Sequence, residues 1–524
     1  MIRLYSEILA IAAAAPEQMV KIDRAGSASH SSVLDVKATK TGTARWMLLI
    51  AVGASAYGGM VIVDLTTGTL RAGSTPTTIG LLFVVFASFV PAIWLNERRP
   101  LDTRLLWLVA VSFRLLMGTT QPTLSDDVYR YLWDGHLVTE GVNPYSYAID
   151  APQLDGFDSP TRRMANNVDL SSPYLPVAQG VFAASVATLP SSPRSLQLVM
   201  TAFDLATAWV VSRLLVLTGQ PARRLMLYLW NPLMIVEIAH GAHLDAVMTF
   251  LAVVAFWATL AAQSESRRRW GLVSPVALAL ATLTRPIPVL LAPVLWWRWS
   301  VTHRVAFAVT LVAAVVPFSF GNGGWGLLGP PTGVGVFGSA RVYSQEFRFN
   351  AGVSRWLEDA FGQASVAAST LTGGAMAALL LGVWVAARRS PTTNRQLTDR
   401  RLLRLAAVPM VGYIVLTPVF HPWYLMVLMT LLVFVAPSGV ESRDRWLLLL
   451  PWVYLSAASS LSYLTYRDPA AFAELDWVRA IQWFPTLALL LATSFWVFFA
   501  VQAEPPYPRD ESALADASSD TGSS

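Results

Sequence analysis

The chain has 524 residues, of which 54% are hydrophobic and only 14% charged, and it contains no cysteine. With a mean hydropathy of +0.48, it is more apolar than ordinary soluble domains, and disulfides, thiolate nucleophiles and cysteine-based metal or iron–sulfur sites are excluded. The net charge of +5 rests on arginines that punctuate the ends of apolar runs, which is a topological pattern and not one of nucleic-acid binding.

A helix crosses hydrocarbon with about 20 apolar residues, and in lipid each segment must satisfy its own backbone hydrogen bonds. The expected fold is therefore an all-α polytopic membrane protein with about 12–14 transmembrane helices and large extracytoplasmic loops. Residues 1–45 are expected to form a cytosolic tail: MIRLYSEILAIAAAAPEQ faintly resembles a signal peptide, but Glu7 interrupts its short apolar stretch. Cleavage and export would also place Arg98 and Arg99 outside, against the positive-inside bias.

The first spans are expected near 46–64, 78–95 and 101–118, delivering the island TLSDDVYRYLWDG and a main loop, 119–195, to the outer face. Spans near 196–217, 225–239 and 244–262 follow, with PARR or ESRRR on one side and HGAH on the other. Residues 271–300 are too long for one span and short for two, and TRPIP interrupts them. They are expected to form a hairpin of half-length helices with Arg285 at its apex, at membrane depth. A span near 305–320, a second outer loop 321–361, and spans near 367–387, 402–418, 423–436, 446–464 and 481–501 complete the membrane domain, 46–501. Residues 502–524 read as a disordered acidic cytosolic tail.

On this topology the outer face collects the Asp126/Asp127 island, HGAHLD, Arg285, RVYSQEFRFN and FHPWY, so catalytic residue types concentrate on one side of the membrane. Ser125 can cap a helix starting at Asp126. Asp126, Arg130 and Asp134 fall at i, i+4 and i+8, which fits a surface salt-bridge ladder worth little. The adjacent carboxylates of Asp126 and Asp127 could instead accept a proton from a sugar or lipid hydroxyl or share a divalent cation. His240, His243 and Asp245 have metal-like spacing but lack the glutamate of a zinc hydrolase helix, and cavity-lining polar residues explain them better. Arg341, Glu346 and Arg348 read equally as a solvated cluster or as phosphate recognition by arginine. An arginine at the depth of Arg285 needs a partner, which a lipid phosphate would supply. Trp423 and Tyr424 suit an interfacial belt, but His421 does not. GVGVFG at 333–338 matches a dinucleotide pattern without its βαβ context and reads as a loop.

SDDVYRYLWDG, GVNPY, HGAHLD, the Arg-Pro hairpin, RVYSQEFRFN and HPWY together resemble bacterial integral-membrane glycosyltransferases of the GT-C superfamily, particularly the polyprenol-phosphate-mannose-dependent mannosyltransferases. The resemblance runs from about Trp46 to Val501. It implies a multi-span helical fold in a bacterial-type cytoplasmic membrane, an active site facing outside, a polyprenyl-phosphate sugar donor, a lipid or glycan acceptor, and inversion at the anomeric carbon. Carried over to this chain, it implies Asp126 as general base with Asp127 supporting, and Arg285, Arg341 and Arg348 on the donor phosphate. Tyr131, Trp133, Tyr145, His243 and His421 would line the sugar and acceptor pocket. No resident cofactor or metal is implied, a divalent cation at Asp126/Asp127 remaining the exception. Relatives often show His-Asn-Asp where this chain has His243-Leu244-Asp245, which argues against direct sugar contacts there. A lipid-linked sugar flippase or transporter is the competing class, although only one broken segment is evident where matched inverted repeats are usual. A glycan polymerase or ligase would share the same outer-face site.

Overall fold

The computed structural model describes residues 33–263, 270–321, 324–325, 333–362, 366–389, 395–435, 446–466 and 474–503. The expectations for the N-terminal tail before residue 33, for the ESRRR loop and for the acidic tail beyond 503 lie outside the described residues. The first half of the chain contains α1 (Val33–Thr67), α2 (Thr75–Arg98), α3 (Thr103–Met117), α4 (Asp127–Thr139), α5 (Pro176–Thr188), α6 (Pro193–Leu217), α7 (Asp245–Ala261) and α8 (Val273–Thr282). The second half contains α9 (Val301–Val315), α10 (Gly338–Glu346), α11 (Val353–Phe361), α12 (Val366–Arg388), α13 (Arg395–Leu416), α14 (Met426–Val435), α15 (Leu450–Ala458) and α16 (Asp476–Ala503). The described residues add a two-residue antiparallel pairing of Phe320–Gly321 with Gly324–Trp325.

Among the described residues, seven helices are long and apolar enough to cross a membrane: Gly42–Thr67, Ala72–Arg98, Pro193–Leu217, Val301–Phe318, Val366–Arg388, Trp446–Thr465 and Asp476–Phe495. The protein is thus an all-α, multi-pass membrane protein. Other expected spans are shorter or interrupted. The stretch expected as one span at 225–239 is split: Asn231 accepts from the Leu233 N–H and Pro232 starts a new turn, because proline lacks the N–H that would continue the previous helix. The next turn, Ile235–His240, is a π-helix.

The hairpin expected at 271–300 is present. Its first arm is α8, and the second returns through Ile287–Leu291 and Ala292–Leu295. The indole of Trp299 donates to Ser274 Oγ at 3.0 Å, which fastens the two ends together and leaves Arg285 at the turn.

α7 packs between α6 and α8, and α2 packs along α1. The segment between α3 and α6 has an apolar cluster of its own, formed by Trp133, Leu137, Ile149, Leu154 and Ala165. Gly135 allows α4 to lie on α5, since a Cβ there would meet the Phe182 carbonyl oxygen at 2.7 Å.

Deep between α3 and α6, the fully buried Arg114 pairs with Asp204, and its guanidinium also donates to the carbonyls of Leu229 at 2.7 Å and Ala110 at 3.1 Å. Removing one partner of such a pair strands the other charge. Arg114→Met is therefore expected to destabilise the purified protein by about 3 kcal/mol or more, seen as a lowered thermal midpoint in detergent. Combining it with Asp204→Leu should restore most of the loss.

Candidate active site

Asp126 occupies the cap position of α4 and Asp127 its first turn, while Ser125 Oγ accepts from the Asp127 N–H at 3.3 Å. Position i+4 from Asp126 is Arg130, but the expected surface ladder is absent. Arg130 is buried, and its Nε pairs with Asp134 at 3.1 Å. Three of its other N–H groups donate to the carbonyls of Asn166 at 3.1 Å, Asn167 at 3.2 Å and Leu170 at 3.0 Å. Asp134 in turn accepts from Ser172 and Gln179, and burial pushes its carboxyl above the ordinary range against the pull of Arg130. The anchored strand of loop turns at Asn167, which has a positive φ of 49°. It brings the Asn166 side-chain amide to 2.9 Å from both Asp126 and Asp127. That amide lies between the two carboxylates.

The two aspartates open onto a cavity of about 570 Å³. Arg285, Arg348, Tyr174, His421, Trp423 and Tyr424 line it with them. Arg285 at the hairpin turn pairs through Nε with Asp245 at 3.2 Å, and its guanidinium carbon stands 5.7 Å from the ring centres of Tyr174 and Tyr424. Burial raises the Tyr174 phenol well above its usual range. Arg348 pairs with Glu358 at 2.7 Å. Both cations are thus oriented by a carboxylate of the protein while they line the cavity.

The other residues singled out by sequence take different places. Arg341 is exposed on α10 and does not line the cavity, because the helix turns it outward while Tyr343 and Ser344 face in. Trp133 belongs to the apolar cluster of the segment between α3 and α6. Tyr145 is buried and donates to the Tyr174 carbonyl at 2.6 Å, which supports the wall without forming it. Tyr131 is stacked on Phe182 with ring centres 4.6 Å apart, and its hydroxyl reaches Asp127 at 3.5 Å from behind.

HGAHLD divides among three partners. His240 Nδ1 lies 2.7 Å from Thr120 Oγ1, Asp245 holds Arg285, and His243 Nε2 lies 3.2 Å from Glu237. His243 Nδ1 faces Asp127 at 4.0 Å. Sequence reasoning missed Glu237 and Asn166. A lone acid inside the run LMIVEIA was a signal for the first, whereas nothing in RRMANNVDL marked the second. A continuous ring stack, Phe349 on His421, His421 on Trp423 and Trp423 on His243, has centre spacings of 4.6, 4.4 and 3.8 Å. It joins the cavity wall to the imidazole behind Asp127.

Paired carboxylates, flanking guanidinium groups and an aromatic wall can bind an anionic, partly apolar substrate and accept a proton from a hydroxyl. Comparison with curated proteins and with solved structures gave no match. Residues 41–301, which contain the island, HGAHLD and the hairpin turn, match the family model described as alpha-(1->6)-mannopyranosyltransferase, N-terminal domain. The chain belongs to this MptA/MptB family and is a membrane mannosyltransferase of the GT-C type.

Proposed function

We propose that the protein transfers mannose from a polyprenyl-phosphate donor to a hydroxyl of a lipid or glycan acceptor on the extracytoplasmic face of the cytoplasmic membrane. The observation that carries this reading is the single cavity onto which Asp126, Asp127, Arg285 and Arg348 all open. The acceptor hydroxyl gives its proton to one of the two aspartates as its oxygen bonds to the anomeric carbon. The bond from that carbon to the phosphate oxygen breaks with its electron pair, and configuration inverts. The charge that grows on the departing phosphate is met by Arg285 and Arg348, already aimed by Asp245 and Glu358. Pro286, Ile287, Phe347 and Phe349 give the same cavity an apolar flank suited to a prenyl chain. Arg341, outside the cavity, has no part in this mechanism.

Purified protein given a polyprenyl-phosphate mannose and a lipid acceptor should form mannosylated product, and replacing both Asp126 and Asp127 by asparagine should abolish it with the thermal midpoint retained. Absence of product from the unaltered protein would exclude this donor. Arg285→Met should raise the donor KM by about tenfold or more, the weight of one charge-assisted hydrogen bond.

Asn166→Asp would set a third carboxylate between the other two, and like charges at one site drive protonation. The variant should lose about tenfold or more in transfer rate while remaining folded. The orientation is testable by labelling, because the chain has no native cysteine. An impermeant thiol reagent applied to intact cells should label Ser191→Cys, in the main outer loop, and should leave Arg104→Cys, beside the basic inner loop, unmodified until the membrane is opened. The reverse pattern would invert the topology.

A further inference from the structure

The two adjacent aspartates differ in what stands behind them. Asn166 is shared by both, but only Asp127 is faced by an imidazole, that of His243. His243 is 1% exposed, and so is nearly sealed from water. Its Nε2 is directed at Glu237, whose other oxygen accepts from the Tyr463 hydroxyl. With a phenol O–H donating to one carboxylate oxygen, Glu237 acts as an acceptor toward Nε2–H, and in the neutral imidazole Nδ1 then presents a lone pair. Among the described residues that Nδ1 is buried and has no hydrogen-bond partner. It stands 4.0 Å from the Asp127 carboxylate, just beyond hydrogen-bond reach.

The backbone that supports this arrangement is unusual. Glu237 sits in the π-helical turn Ile235–His240, a form often found at functional sites. Ala242, just before His243, has a left-handed φ of 55°. A Cβ on Gly241 would lie 2.8 Å from His243 Cδ2, so the chain closes tightly on the ring. Trp423 stacks on its face.

We propose that Asp127 is the residue that takes the acceptor proton, and that Glu237 and His243 position it through a hydrogen bond that exists only once the proton has moved. This rests on the transfer reaction proposed above. As the acceptor oxygen bonds to the anomeric carbon, its proton passes to Asp127. The new carboxyl O–H then donates to His243 Nδ1, closing the gap. The interaction is absent with Asp127 ionised, so it stabilises the transition state and not the bound substrate. Glu237 and His243 are positioning residues, and Asp127 is the catalytic one.

The test uses the full-length protein with polyprenyl-phosphate mannose and a lipid acceptor. Asp127→Asn should lower kcat by about a hundredfold or more, and by at least about tenfold more than Asp126→Asn. His243→Phe keeps the stack on Trp423 but removes Nδ1, and should lower kcat about tenfold or more with the donor KM within about twofold. His243→Asn returns an acceptor near the Nδ1 position and should recover most of that loss. Glu237→Gln, which can turn the imidazole over, should resemble His243→Phe. A larger loss at Asp126 than at Asp127, an unchanged kcat in His243→Phe, or a loss residing in KM would each overturn the proposal. Nitrogen-15 NMR of histidine-labelled protein, with His243→Asn to assign the signal, reads the arrangement independently of the donor. The neutral Nε2–H tautomer is expected, and an Nδ1–H tautomer or an imidazolium would overturn it. Absence of product from the unaltered protein would instead count against the donor, and the NMR result would still decide the arrangement.

Discussion

The buried guanidinium of Arg130 is the interaction on which the site is built. It lies out of water, and a charge in that position must be compensated. One carboxylate and three carbonyls take four of its five N–H groups. The carbonyls belong to the stretch from Asn166 to Leu170, so fastening the charge also fastens the loop. The loop delivers the Asn166 amide to the two aspartates at the start of the same helix that carries Arg130. A residue with no place on the cavity wall thereby sets the spacing of the residues that are on it.

The same rule of compensated charge governs the membrane domain, with two outcomes. Arg114 and Asp204 satisfy each other far from the cavity and join α3 to α6. Arg285 and Asp245 are also paired, but the guanidinium remains on the cavity wall. The first pair ties two helices together inside the protein, whereas the second leaves a guanidinium on the cavity wall. Electrostatically they are alike, and cavity access separates their roles.

Much of this was legible in the sequence because it follows from period and polarity. Long apolar runs gave the helical membrane class, and TRPIP inside residues 271–300 gave the hairpin with Arg285 at its turn. The island at Asp126 and Asp127, together with Arg285, Arg348 and His421, does line one cavity. What was not legible depends on long-range packing. Trp133 and Tyr145 resemble sugar-stacking residues as letters, but the segment between α3 and α6 needs apolar and hydrogen-bonded support of its own and uses them there. Arg341 and Arg348 looked equivalent until helix α10 turned one outward. Asn166 acquires its role only through the distant Arg130, a connection that no local pattern encodes.

The hairpin that carries Arg285 has one further consequence. Its first arm, α8, packs against α7 and α9, while the returning arm packs against α12 and α13 and donates from the Trp297 indole to the Trp384 carbonyl at 2.9 Å. Arg285 therefore stands on the seam between two groups of helices, and its partner Asp245 belongs to the first of them. The place of that guanidinium on the cavity wall is thereby set by an acid of one group and by a turn shared with the other.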